Sequence, residues 1–423
     1  MQEDFLHYIW KYKAFDSANL NTTDGQPVVI KHLGQYNFNS GPDFFNSQLI
    51  IAKQFWAGNV EIHLKSSDWY VHNHERDQAY DNVILHVVWE HDSDIFRKDN
   101  SVIPTLELKP HVDVSLLYNY KSLIKSKSWI NCEKDFGDVD DFTLNNWLER
   151  LYFERLQRKS NSIIELLRQS QNNWESVLFK LLLKNFGLNV NSEALLSLGK
   201  SIDYSIIRKV RYNSQDFEAV LFGQAGLLEV DSEECYVVNL KERYTFLKHK
   251  YQLTNQGVIP LQFFRLRPPN FPTIRLSQLV NLYYIEDNLF SKIISLQKKD
   301  DFYGLFKVGV TDYWKSHYTF SKESKSSNKL LTKSFIDLLI INTIIPIKFA
   351  YANSQGKFLE EELLSIIKSL DVEKNSVVDN FFKLRAFDNN ACNSQSLLQL
   401  KQEYCDKNKC LQCAIGNNLI TKN

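Results

Sequence analysis

Apolar residues in about the first 115 positions come in short runs broken by Gly, Asn, Asp and Ser. Residues 48–51, 59–64, 82–89 and 103–108 are such runs, rich in β-branched or aromatic side chains, and they predict strands of one sheet. A helix over 3–14 and a short one over 77–80 would cover that sheet. The segment 112–127 is ambiguous between the two periods.

From Asp141 the period changes to 3.6. Leu144, Trp147, Leu148, Leu151 and Tyr152 fall on one face, Asp141 or Thr143 can cap the start, and Glu154 with Arg158 forms an i,i+4 pair. Further helices are expected over 161–169, 174–185, 192–199, 203–208 and 215–227. Pro272 suits the first turn of another. A polar, lysine-rich loop is expected over 321–327, then helices over 333–350, 358–369, 374–384 and 394–404. The apolar stretch 335–352 contains Asp337, Asn342, Pro346 and Lys348, which predicts a buried, Pro-kinked helix rather than a membrane span. No repeat or heptad seam is present. The expected class is α+β: an N-terminal α/β domain over 1–135, a helical domain over 136–330, and a helical segment over 331–423.

Composition narrows the functions. At 423 residues the chain is too long for one small module, and 43% hydrophobic with 24% charged residues is the make-up of a packed protein rather than a disordered one. Fifty basic residues balance fifty acidic ones, so any nucleic-acid affinity must come from a local patch. The start, Met1-Gln2-Glu3-Asp4-Phe5, is acidic and lacks an apolar run, so a cytoplasmic location with reduced thiols is expected.

Chemistry concentrates in two places. In Gly58-Asn-Val-Glu-Ile-His-Leu-Lys-Ser-Ser-Asp-Trp69, a strand would put Glu61, His63 and Lys65 on one face and Val60, Ile62 and Leu64 on the other. Asp43, after a Gly-Pro turn, could be brought beside Glu61. Five of the ten histidines (His63, His72, His74, His86 and His91) lie between 63 and 91. His86 sits in an apolar run and needs a partner for each ring nitrogen. The second place is the tail, where Cys405, Cys410 and Cys413 offer three thiolates with Lys407 and Lys409 nearby. Cys132 is the expected fourth ligand, since the helix after Cys392 would hold that residue roughly 15 Å from Cys405. Zinc and an iron–sulfur cluster both suit such a set. Arg265, Arg267 and Arg275 can hold phosphates, with Phe263, Phe264 and Phe271 as stacking surfaces, or can tie the Pro-rich loop to carboxylates. Gly223-Gln-Ala-Gly226 fits close helix packing or a helix end.

Pro42-Asp43 followed by Glu61-Ile62-His63 resembles the PD-(D/E)xK nuclease superfamily, with His63 at the lysine position and Lys65 two residues on. The resemblance implies a restriction-endonuclease-like N-terminal domain, Mg²⁺ or Mn²⁺ on Asp43 and Glu61, and water oriented by His63 or Lys65. One upstream cysteine joined to a C-terminal triad is similar to the iron–sulfur nucleases of that superfamily. Over nearly the whole chain, Gly41-Pro-Asp-Phe44, the Gly58–Trp69 segment, His72-x-His74, Tyr80-Asp-Asn-Val-Ile-Leu-His-Val-Val88, Phe222-Gly-Gln-Ala-Gly226, Arg267-Pro-Pro-Asn-Phe-Pro272 and Cys410-Leu-Gln-Cys-Ala-Ile-Gly416 resemble an uncharacterised bacterial family, domain of unknown function 2851. Three readings follow. The first is metal-dependent hydrolysis of DNA or RNA, with no membrane partner. The second is a non-catalytic nucleic-acid-binding or scaffold protein on a degenerate nuclease fold. The third is a zinc hydrolase built on His63, His72, His74 and His86.

Overall fold

The computed structural model describes residues 1–125, 128–320 and 322–422. Contacts divide the chain into two units. The first comprises Met1–Trp147, Lys383–Arg385 and Leu400–Asn423, and it contains the sheet. Strands β1 (Val28–His32), β2 (Gln35–Tyr36), β3 (Phe44–Ile51), β4 (Gln54–Lys65), β5 (Val83–Glu90) and β6 (Thr105–Glu107) lie in the order β1-β3-β4-β5-β6, with β2 paired to β3. Helix α1 (Glu3–Lys11) packs on β4 through a stripe containing Phe5, Leu6, Ile9 and Trp10. Glu3 and Asp4 in its first turn and Lys11 in its last suit the helix dipole.

Connections decide where the polar residues go. β3 and β4 form an antiparallel hairpin whose two turn residues, Ala52 and Lys53, both have positive φ (50° and 71°), as the twist of a two-residue turn demands. β4 and β5 are parallel, so the chain between them must cross over. That crossover carries α2 (Asp68–Val71) and two single turns, His74–Arg76 and Gln78–Tyr80. Gly58 lets the strands close at the start of this unit: a Cβ there would lie 2.7 Å from the Asn82 carbonyl oxygen. Val83 to Val88 are all buried, as expected for a parallel strand covered on both faces.

The ambiguous segment is helix α3 (Val114–Lys125), and residues 126 and 127 lie outside those described. The C-terminal helix Ala414–Thr421 packs against α3, where the Asn119 amide donates to the carbonyls of Ile420 and Lys422.

The second unit, Leu148–Phe382 with Ala386–Gln399, is mostly helical. Helices Trp174–Phe186, Leu188–Lys200, Tyr204–Val210, Ser214–Gln224 and Pro272–Ile285 stand close to their expected places. Asp141–Gln169 is one helix of 29 residues rather than two. Cys235–Tyr251 is a helix that the apolar pattern misses, because it buries only Val237, Leu240 and Leu247 and so has no continuous stripe. Residues 333–354 form a helix with a π-turn at Ile340–Ile344, just before Pro346. Its stretch Lys333–Ser354 is long and apolar enough to cross a membrane, but 78% of its most apolar window is buried within the protein. There the Lys348 ammonium pairs with Glu362 and donates to the carbonyls of Ile294 and Leu296. The loop expected over 321–327 begins at a residue outside those described. A short ladder of His317–Thr319 with Lys322–Glu323 occupies this region.

Candidate metal centre

β4 places Glu61 and His63 two residues apart on one face, and the register puts His86 of β5 opposite Glu61. The crossover then returns His72 and His74 over the same strand. One ring nitrogen each from His63, His72 and His74 lies within 4.8 Å of the others, which makes this trio able to hold a metal ion. His63 Nε2 is 3.0 Å from His72 Nδ1, and Glu61 Oε1 is 3.5 Å from His63 Nε2 and 3.3 Å from His74 Nε2. His63 is buried, His74 half-buried and His72 exposed, so the group grades from core to solvent.

Neighbouring rings hold the imidazoles in place. His63 Nδ1 lies 2.8 Å from Nε2 of the fully buried His86. That contact occupies one nitrogen of His63 and leaves Nε2 facing His72 and Glu61. Tyr80 stacks on His74 at 3.8 Å between ring centroids, and Trp69 stands edge-on to both His74 and His86. Burial pushes His63 down to about 2, helped by His86, His74 and His72, and pushes His86 down to about 3. His74 is also lowered, again chiefly by burial. His63 and His86 are therefore neutral at ordinary pH, the form that ligates metals. Glu61 is raised to about 9, by burial first and then by the charge of Asp43.

Asp43 does come beside Glu61. Its N–H donates to Glu61 Oε2 at 3.1 Å, and its own Oδ2 accepts the Ile62 N–H at 3.0 Å. His7, from α1, stands 3.1 Å from the same Asp43 oxygen. Burial opposes a charge on His7, but Asp43, Glu3 and Glu61 outweigh it and raise its pKa. Sequence reasoning missed His7, because nothing local marks it: only tertiary packing of α1 on β4 delivers it. Lys65, at the strand end, is exposed and lies 4.0 Å from Asp92.

Two expectations are corrected. Mg²⁺ or Mn²⁺ on Asp43 and Glu61 has no support, because the ligand atoms that converge are imidazole nitrogens, whereas those hard ions require an oxygen shell. The carboxylate oxygens are engaged by N–H groups and imidazoles instead. The iron–sulfur cluster or zinc expected on Cys132, Cys405, Cys410 and Cys413 is overturned too, and with it the cysteine-rich C-terminal metal site. Among the described residues their sulfurs do not form a group able to hold an ion, and all six cysteines are free. The four thiols line an apolar cavity of about 20 Å³ with Leu400 and Ile415. Burial pushes Cys132 up to about 12 and Cys413 up to about 11, and raises Cys405 and Cys410 as well. They are neutral thiols packed as small apolar groups. Lys407, expected to ease their ionisation, is paired with Glu403.

The arginines of the Pro-rich loop are placed differently from one another. Arg265 and Arg267 are exposed. Arg275 is buried, donating to Gln278 and Asn270 with its guanidinium 3.7 Å from the Phe335 ring centroid. It ties the loop to its own helix. Gly223 is a packing glycine, since a Cβ there would lie 2.3 Å from the Tyr244 ring.

A family model described as "Protein of unknown function (DUF2851)" matches residues 3–376. No curated protein and no solved structure matches the chain.

Proposed function

The chain belongs to the DUF2851 family, which brings no reaction with it, and from the site alone we propose a metal-dependent hydrolase whose ion is held by His63, His72 and His74. The convergence of three imidazole nitrogens beside the buried carboxyl of Glu61 carries this reading. A nitrogen set of this kind favours zinc or another first-row transition ion over a hard cation. Such an ion, when bound, polarises the bond to be broken and acidifies a water. The chain supplies the rest. Glu61, ionised beside a divalent cation, takes a proton from water, His86 holds the orientation of His63, and Tyr80 restrains His74. Exposed His72 leaves an approach from solvent.

A second reading concerns descent. An antiparallel β3/β4 pair, a crossover to parallel β5, Asp43 just ahead of β3 and Glu61 and His63 on β4 support relating the N-terminal part to the PD-(D/E)xK superfamily. The nitrogen-rich centre would then be this chain's departure from the carboxylate–lysine pattern.

The test is turnover of a chromogenic phosphodiester and a carboxylic ester by zinc-loaded protein. Glu61→Gln is expected to lower kcat by about 10²–10⁴ while the metal is retained. No turnover by the wild type with any first-row divalent ion, or equal turnover by the variant, would contradict the proposal.

A further inference from the structure

His7 belongs to two settings. It touches Asp43 beside the candidate centre, and it also lines a groove of about 180 Å³ shared by the end of α1, β2 and its following turn, and the segment around 407–412. Three aromatic rings meet there. Tyr12 is 50% exposed and Phe38 78% exposed, and Tyr36 stands edge-on to Phe38 at 4.9 Å. Lys11 Nζ lies 5.4 Å from the ring centroids of both Tyr12 and Tyr36, and 6.0 Å from that of Phe38. Lys407 and Lys409 line the same groove. Asp4 is the carboxylate among its lining residues, and Glu403 pairs with Lys407.

Exposed aromatic faces beside ammonium groups recognise a flexible polyanion with flat, apolar bases: the rings stack on bases and the lysines meet phosphates. A duplex keeps its bases stacked and offers these rings no face. The chain has no net charge, so attraction must be local, and His7, which lines this groove, touches Asp43, whose N–H donates to Glu61. We propose that the groove binds a single-stranded polynucleotide and presents its phosphodiester to the histidine centre. This deepens, and rests on, the hydrolase reading. In the step itself the water oxygen bonds to phosphorus, the P–O ester bond breaks, and the water proton passes by way of Glu61 to the leaving oxygen, which departs as a hydroxyl.

The experiment is fluorescence anisotropy with labelled oligo-dT and oligo-rU of about 15 nucleotides, a duplex of equal length and an acidic peptide, on full-length zinc-loaded protein. The conditions hold cleavage negligible, at low temperature and short times. At least one single strand should bind more tightly than the duplex or the peptide, and the two arms separate DNA from RNA. The double variant Tyr12→Ala/Phe38→Ala should weaken binding roughly 10–100-fold, as loss of stacking on one base implies. Its bound zinc, measured alongside, should be unchanged, which controls for folding. The salt dependence of log K should have a slope of about −1.4 for Lys11 and Lys409, reduced by about 0.7 in Lys11→Gln.

Failure of both strands to bind, binding indifferent to these substitutions, or preference for the acidic peptide would overturn the proposal. Turnover of the small chromogenic phosphodiester separates the two claims. If it is cleaved while no strand binds, the groove assignment falls alone. If a strand binds but neither it nor the small ester is cleaved, the hydrolase reading falls, and with it the groove's role in presenting substrate.

Discussion

At the scale of single residues, the account turns on which side chains are charged and which are neutral. His63 and His86 are imidazoles that burial keeps uncharged, so metal binding does not require removing a proton from either ring. His86 acts through His63. His86→Ala is therefore expected to retain one ion per chain but weaken its affinity about 10–100-fold, measured by competition with a chromogenic chelator. A second buried carboxyl gives a prediction about stability. Glu218 is raised to about 7 by burial, against the hydroxyls of Thr311, Tyr236 and Ser277. The folded state then keeps a proton that the unfolded chain releases near pH 4.5. Stability is highest below that pH, falls by about 3 kcal/mol as pH rises to about 7, and is level above it as far as this group is concerned. Urea unfolding of Glu218→Gln should lose that slope, and an unchanged slope would show that another group is responsible.

At the scale of elements, β1 and β2 fell in no expected run, while β3, β4, β5 and β6 were readable because their runs are short, rich in β-branched or aromatic residues and bounded by turn residues. The helix Cys235–Tyr251 was not, because three buried side chains in 17 residues leave no periodic signal. The candidate site was readable in part for the same physical reason. Glu61 and His63 share a strand face, which a two-residue period reveals. The meeting of His72 with His63 depends on the path of a crossover, and that of His7 with Asp43 on a helix packing across the sheet, and neither path is written in local spacing. The cysteine tail shows the opposite error: spacing suggested ligands, whereas burial leaves neutral thiols. Packing of the second unit can be tested at Gly223. Gly223→Ala would drive a methyl into the Tyr244 ring and should cost about 1–3 kcal/mol, read as a lower thermal midpoint. Gly226, where a Cβ would meet nothing within 4 Å, has a positive φ of 73°, so replacement there acts by backbone strain instead.

At the scale of the whole molecule, a chain balanced between fifty cations and fifty anions places its candidate metal centre in one unit, on one sheet face and the crossover above it. A ligand that binds only the folded unit stabilises it by about 2.7 kcal/mol at a hundredfold excess over Kd. Hydrogen exchange with and without zinc should accordingly slow over residues 61–86 and stay unchanged through the helices of 174–224. The central claim is met most directly by metal content. Equilibrium dialysis against zinc followed by elemental analysis should give one ion per chain for the wild type and for Cys405→Ser/Cys410→Ser, and a loss of that ion for His63→Ala/His74→Ala with the far-ultraviolet circular dichroism retained. A wild type that takes up no transition ion, or a histidine variant that holds as much as the wild type, would contradict it.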